Sequence, residues 1–438
     1  MDKVGNSIIQ RLELIKTKMQ EKKQNKNIGW CLTLFGTAVG AGMLFLPVRA
    51  GISGIWAIII ASLIIGPMTY YAHRCLARFI LSSKKENNDF VGVIGEYFGE
   101  KARDLTAFMY FLAFYPVLLI YGLSLTNTID SFFINQLNLV TTNEAANITS
   151  GIIPRWLIAL ISIFSMVYVM TKSKEKIIKI TSAIVYPLAI MLFGISVYLM
   201  RYWQLDNQDF SAPEIGDLLG NVWLTLPILV FSFNYSPTVS EFAISMKESY
   251  KDKAEIQSSN ILRATCIMLW LFTMFFVFSC ILSLSPNEIV EAEQQNISIL
   301  SYLANTYQNP AISFIGPLIG SVAIISSFFG HYLGAVEGIK GLIVKRIDDL
   351  NAKKEKKLDN LLAVFVATST WIVTLINPSV LNIIENIGTP IIAIMLYLIP
   401  MYGVYKVDAL KKYRNSINNI LIIITGVLTT TALIYNML

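Results

Sequence analysis

Long apolar runs recur along this chain, and two of them are interrupted in the middle. One reads Gly36-Thr-Ala-Val-Gly40-Ala-Gly42 inside a run from Ile28 to Val48. The other reads Phe231-Ser-Phe-Asn234-Tyr-Ser236-Pro237 inside a run from Leu218 to Met246. A helix in hydrocarbon must satisfy its own backbone polar groups, so it breaks only where the freed groups face protein, water or a ligand. Paired breaks in the two halves of a chain point to the central binding site of a transporter.

The sequence is 54% hydrophobic and 15% charged, against roughly 25% charged residues in soluble domains. Its apolar runs are continuous and do not alternate, which implies helices and not a membrane β-barrel. We therefore expect an all-α integral membrane protein of eleven spans. They lie near 28–48, 54–76, 105–134, 155–171, 180–200, 218–245, 262–284, 311–337, 359–376, 380–404 and 417–436. No cleavable signal peptide is visible, because residues 1–27 are polar and basic. With the N-terminus inside, all of the 35 Lys and Arg residues except Arg49, Arg155 and Arg201 fall on the cytosolic side. The positive-inside rule then sets a cytoplasmic N-terminus and an external C-terminus. The net charge of +6 is explained by this orientation and does not signal nucleic acid. Cys31, Cys75, Cys266 and Cys280 lack metal-ligand spacing and read as buried apolar fillers.

Four parts are expected: a basic tail (1–27), a first five-helix repeat (28–202), a second (203–405) containing an external loop helix, and a loop with the eleventh span (406–438). An odd number of spans per repeat makes the halves enter the membrane in opposite senses, an inverted repeat. The two halves share no convincing sequence identity. In the tail, Ile8, Leu12, Ile15 and Met19 recur at helical spacing among basic residues, suiting either a helix on anionic membrane lipid or a solvated one. Segments 77–104, 246–260 and 289–303 also have a helical pattern. Asn147 and Asn296 begin Asn-x-Ser/Thr triplets.

The first break supplies Gly36, Thr37, Ala38, Val39, Gly40, Ala41 and Gly42. The half-helix that starts there would aim its free N–H groups at an anion such as an amino-acid carboxylate. The freed carbonyls, at Gly36 and Val39 among others, could hold a cation. The plainer reading is tight packing through a GxxxG pair. The second break adds Phe231, Ser232, Asn234 and Ser236 ahead of Pro237, which loosens the preceding turn. Glu241 follows one turn later, and a charge there must face water, find a partner or carry a proton. Ser326 and Ser327 could complete a sodium site with the first break, or simply bond back to their own helix. His73 and His331, placed near the inner ends of spans two and eight, are candidate proton gates or interfacial residues. Tyr115 and Asn127 are candidate pocket walls, and Glu385 a candidate external gate. No HExxH, phosphate loop, Gly-x-Ser-x-Gly or Cys/His cluster is present, so an enzyme is not expected.

The string Phe35-Gly-Thr-Ala-Val-Gly-Ala-Gly-Met-Leu-Phe-Leu-Pro47 resembles the first-span signature of bacterial serine and threonine permeases, in the hydroxy and aromatic amino acid permease family. Ala72-His-Arg74, Phe231-Ser-Phe-Asn234 with Ser236-Pro237, Gln295-Asn-Ile-Ser-Ile-Leu-Ser-Tyr-Leu-Ala304, Gly330-His-Tyr-Leu-Gly334 and Asn377-Pro-Ser379 are similar to that family too. The match runs from about residue 28 onward and is greatest for the serine transporter branch. It implies a LeuT-type fold and ion-coupled uptake of serine across a bacterial inner membrane. Gly40, Ala41 and Gly42 would meet the carboxylate, and Phe231 and Asn234 would line the other side. The family pattern carries Lys where this chain has Ser326, Ser where it has Glu241, and His where it has Tyr235. Those departures leave the coupling ion, proton or sodium, open.

The function expected is a symporter for a small neutral hydroxy amino acid, L-serine first, working by alternating access. Alternatives are a threonine or aromatic amino acid permease, a non-transporting sensor, or a channel. The sensor reading lacks a large cytosolic segment, and the channel reading lacks an evenly polar span. No cofactor and no obligate protein partner are indicated.

Overall fold

A computed structural model describes residues 24–143, 148–172, 174–307, 309–343 and 352–437. Most of the basic tail, Asn147 and the middle of the basic loop at 340–358 lie outside the described residues. The chain is nearly all helical. Among the described residues, seven helices are long and apolar enough to cross a membrane, or eight if a bent pair counts as one span. That pair is α1 (Gln24–Ala38) and α2 (Ala41–Ser53), which meet at 50° across the first break. Next come α3 (Ile55–Leu81), the short α4 (Phe90–Phe98) and the long α5 (Glu100–Asn135). The shorter α6 (Arg155–Met170) and α7 (Lys174–Leu199) follow.

The apolar stretch Ile215–Leu282 contains α8 (Ile215–Ser232), α9 (Val239–Tyr250) and α10 (Ala254–Leu282). It is interrupted at the second break and again at Lys251–Lys253. The external segment is two helices, α11 (Pro286–Gln294) and α12 (Ile299–Thr306), each started by a serine cap, and not one helix over 289–303. The chain closes with α13 (Pro310–Ile343), α14 (Ala352–Ile376), α15 (Val380–Lys406) and α16 (Asn418–Met437). In α15 two stretches, Ile384–Gly388 and Ile394–Leu398, are wound as π-helix.

The all-α expectation needs one correction. Val140–Asn143 and Ile148–Gly151 form an antiparallel hairpin with Val140 opposite Gly151. Its β-branched residues favour extended structure once the chain has left the membrane span.

The interior forms where the broken helices meet α5 and α13. Along α13, Gly330, Gly334 and Gly338 recur on one face. A Cβ on them would lie 2.4 Å from Thr37 Oγ1, 2.7 Å from Pro237 Cβ and 2.5 Å from the Phe111 backbone nitrogen, respectively. Small residues at this spacing let helices pack backbone to backbone in a membrane. The four cysteines are free, and three of them are buried. On the α4 side, burial pushes the Glu96 carboxyl upward, but hydrogen bonds from Ser83, Lys84 and Asn88 outweigh it and hold it below the usual carboxylate value.

Candidate functional site

The two breaks lie side by side. Thr37 Oγ1 is 2.9 Å from Thr238 Oγ1, and it also donates to Thr33 O at 2.8 Å. The first break has Gly40 as the cap of α2, with no side chain bonded over the first N–H groups of that helix. The backbone at Gly40 is extended, a conformation any residue adopts. Glycine is required there by space instead. A Cβ on Gly40 would stand 2.4 Å from Ser327 Cβ, and one on Gly42 2.5 Å from the Phe231 ring and 3.1 Å from Ser232 Cα. Ala38 and Ala41 are buried beside them, as are Val39 and Thr37.

The second break follows from local chemistry. Asn234 Oδ1 accepts from the Ser236 N–H at 3.0 Å, a turn that asparagine favours. Pro237 sits in the short 3-10 segment that leads into α9. His73 Nε2 accepts from the Tyr235 N–H at 3.2 Å, its Nδ1 lies 2.8 Å from Thr69 O, and its ring stacks on Tyr235 with centroids 3.6 Å apart. An acceptor at Nε2 and a carbonyl at Nδ1 require the neutral ring with its proton on Nδ1.

Opposite the first break, α13 presents a hydroxyl pair. Ser326 Oγ donates to Gly36 O at 3.3 Å, and Ser327 Oγ contacts Thr37 O and lies 2.7 Å from the Tyr121 hydroxyl. One turn on, His331 Nδ1 donates to Ser327 O at 3.0 Å. Tyr235 Oη, Ser236 Oγ and His331 Nε2 are buried without a hydrogen-bond partner among the described residues. Buried polar groups rarely stay unpaired unless they have a task.

Of the two places open to the histidines, the structure gives the buried one. Each is about 1% exposed and lies in the packed core against the breaks, not at the lipid interface. Tyr115 is not brought to the breaks: its ring stacks on Phe111 and on Phe365 of α14. Asn127 belongs to an outer clasp. Its Nδ2 donates to Asn296 O at 2.8 Å and its Oδ1 accepts from Arg155, which also reaches Thr374 O and Asn377 Oδ1. Glu241 sits in the first turn of α9, half-buried. Tyr121 and Thr238 carried no signal in the sequence, and Gly330 only its place in the Gly330–Gly334 string and the small-residue spacing of α13.

Glu385, in the first π-stretch of α15, lies 3.0 Å from Arg49 Nε at the outer end of α2, although the alignment is not that of a hydrogen bond. If Glu385 is an external gate, this pair would hold the outer side closed over the buried break residues. On the other side Lys247 Nζ holds the carbonyls of Ser83 and Lys85 at 2.7 and 2.9 Å, and Trp30 Nε1 donates to Ser245. Glu385→Gln should loosen the outer seal, because Arg49 loses its counter-charge. A cysteine in place of Gly388, which has ordinary room beside Val117 and Phe231, should then react with an impermeant maleimide about tenfold faster, as loss of a partly buried pair costs at least ~1.4 kcal/mol. An unchanged rate would remove Glu385 from the gate.

Broken helices whose ends meet in a sealed polar core define a multi-pass membrane transporter. Solved structures share the fold. MhsT in complex with L-phenylalanine matches with a TM-score of 0.59 at 16% identity, covering 93% of this chain and 97% of that one. A manganese transporter of Eremococcus coleocola matches with a TM-score of 0.57 at 11% identity, covering 93% and 85%. The chain belongs to the tryptophan/tyrosine permease family, whose pattern spans residues 23–435. It is 41% identical to the serine transporter SdaC of Escherichia coli over 414 residues, covering 93% of this chain and 94% of that protein. It is 38% identical to the threonine/serine transporter TdcC of Escherichia fergusonii over 428 residues, covering 93% and 94%. Family and fold are those of a transporter and not of an enzyme.

Proposed function

We propose that this protein is a secondary active symporter that imports L-serine across a bacterial inner membrane by alternating access. The observation that carries the reading is the junction of the breaks, where the bare N-terminus of α2 and Gly42 face Phe231 and Ser232. The start of α2 at Gly40, Ala41 and Gly42 receives the substrate carboxylate. Phe231, Ser232, Asn234 and Ser236, with Thr37 and Ala38, form the opposite wall. The tight approach favours a small side chain, and relatives named for serine and for threonine with serine support the same choice. Threonine is the second reading, ahead of the aromatic substrates in the family's name.

In this reading eleven spans form two inverted five-helix repeats, 28–202 and 203–405, between the tail at 1–27 and the segment 406–438. The N-terminus is cytoplasmic and the C-terminus external. The coupling ion is sodium if Ser326, Ser327 and the carbonyls of Gly36, Thr37 and Val39 form an oxygen cage, and a proton if Glu241 is the carrier.

Labelled L-serine uptake into proteoliposomes, under a sodium or a proton gradient imposed separately, tests the proposal. Uptake under neither gradient, with threonine and aromatic amino acids also failing, would overturn it. Under the proton arm, Glu241→Gln should lower gradient-driven uptake about tenfold or more, the loss of a catalytic proton transfer, while equilibrium exchange persists. Unchanged gradient dependence would return Glu241 to the wall of the inner vestibule.

A further inference from the structure

A second cavity, lined by none of the break residues, lies at the Lys- and Arg-rich end of α3. Here α3, the end of α15, the 3-10 segment Asp408–Tyr413 and the start of α16 enclose a cavity of about 320 Å³. Arg74, Arg78 and Lys412 line it together with Tyr413, Asn418 and Asn419, and none of its lining residues is acidic. The neighbouring cleft is different, mixing Lys247 and Lys251 with Glu86, Glu248, Asp252 and Glu255.

The cavity is held rigid by its own bonds. Arg78 donates to Glu255 Oε1 at 2.7 Å and lies over the Tyr413 ring at 3.9 Å. Arg414 ties down the end of α15 through Val404 O and Val407 O, and Asn419 Nδ2 caps Tyr413 O and Arg414 O. Arg78 is thereby committed. Arg74 donates only from Nε, to Ser259 at 3.2 Å. Among the described residues neither Arg74 nor Lys412 is within ion-pair distance of a carboxylate. Two cations, a tyrosine and the amide of Asn418 line one cavity, which is donor chemistry for a phosphate oxyanion, while Asn419 is spent on holding the backbone.

The surface of α3 says where that phosphate comes from. Leu63 and Pro67 are exposed, and Tyr71, Arg74 and Arg78, half-buried, follow them at helical spacing along α3. An apolar stripe in the hydrocarbon that ends in a basic cavity at the interface matches an acyl chain joined to an anionic headgroup.

We infer that this cavity binds the phosphodiester headgroup of an anionic phospholipid, seated between Arg74 and Lys412, with its acyl chain along Leu63, Pro67 and Tyr71. The site joins α3 to α15 and α16, so the lipid bridges helices from opposite ends of the chain. The inference does not depend on what the protein transports.

The test uses delipidated full-length protein in neutral detergent, titrated with phosphatidylglycerol, phosphatidylcholine or inorganic phosphate. Bound lipid is read by native mass spectrometry and stability by the thermal midpoint. Phosphatidylglycerol should bind saturably with one tight adduct and raise the midpoint; phosphatidylcholine and phosphate should not. Arg74→Gln with Lys412→Gln should weaken the tight adduct about 10–30-fold, since each surface cation contributes about a factor of five toward anionic lipid. Arg74→Lys should retain most of it. Lys412→Gln alone, at an exposed position, keeps the test valid if the pair folds poorly. Removing two exposed lysines elsewhere, Lys356→Gln with Lys357→Gln, should change nothing. Equal weakening by that control, equal binding of phosphatidylcholine, or equal stabilisation by inorganic phosphate would overturn the inference.

Discussion

Gly42→Val is expected to eliminate both binding and uptake of labelled L-serine. The glycine stands where α2 begins, and even a single Cβ would press 2.5 Å from the Phe231 ring and 3.1 Å from Ser232 Cα. Valine adds two methyl groups in the space proposed for the carboxylate. Losing two charge-assisted N–H bonds to that group should weaken binding about a hundredfold to ten-thousandfold. The same crowding strains the empty protein, so folding must be followed separately by gel-filtration profile and thermal midpoint. Gly42→Ala combined with Phe231→Leu relieves the contact with the ring and should fold normally while binding serine only weakly. Wild-type affinity in either variant would show that the carboxylate lies elsewhere.

The second large effect is expected at Ser327. Its hydroxyl contacts Thr37 O and the Tyr121 hydroxyl at once. Ser327→Ala leaves a buried carbonyl short of a donor, which costs about 1–3 kcal/mol of stability whatever the function. If the carbonyls and hydroxyls form the ion cage, the sodium concentration for half-maximal uptake should also rise, by about tenfold or more for one lost oxygen ligand of comparable strength. A lower thermal midpoint with unchanged ion dependence would make the serine a packing residue. Ser326→Lys asks the converse question, because an ammonium beside Gly36 O would supply the charge itself. Uptake should then no longer respond to sodium.

Much of this site was legible because membrane insertion makes a broken span conspicuous. Glycines alone in the middle of Ile28–Val48 would suit close helix packing, but asparagine and proline in the middle of Leu218–Met246 make a pair of breaks the better reading. The hydroxyl pair of α13 was a candidate partner for the first break because freed carbonyls and hydroxyls together make an oxygen site for a cation, and the fold does bring Ser326 and Ser327 to Gly36 O and Thr37 O. What escaped was the choice of helix face. In a soluble helix one polar stripe marks the outside, but here lipid and core are both apolar. Tyr115 and Tyr121 lie on one helix, α5, and look alike in sequence; the first faces Phe365 and the second faces Ser327. The histidines were ambiguous for a related reason. A histidine near a span's end suits the interface, and only the fold reveals that His73 is stacked on Tyr235 in the core. The clasp of Asn127, Arg155 and Asn296 joins residues more than 150 positions apart, beyond the reach of any local pattern.

The winding of α15 has its own consequence. Thr389 Oγ1 bonds Ile384 O at 2.8 Å, and the backbone between them closes rings one residue wider than usual. A second wide turn follows at Ile394–Leu398. Each is a residue of slack in a ladder that Pro390 and Pro400, lacking N–H groups, already thin, and helices bend at such points. A wide turn becomes an ordinary one by exchanging partners, each N–H releasing one carbonyl as it takes the next. No backbone group need be left unpaired in the hydrocarbon, where that would cost several kcal/mol. The two broken spans solve the problem of movement by giving up hydrogen bonds to whatever sits between them. The helix that carries Glu385 instead keeps a spare residue in each wide turn, one of which holds Glu385 itself, and so has room to bend without a break.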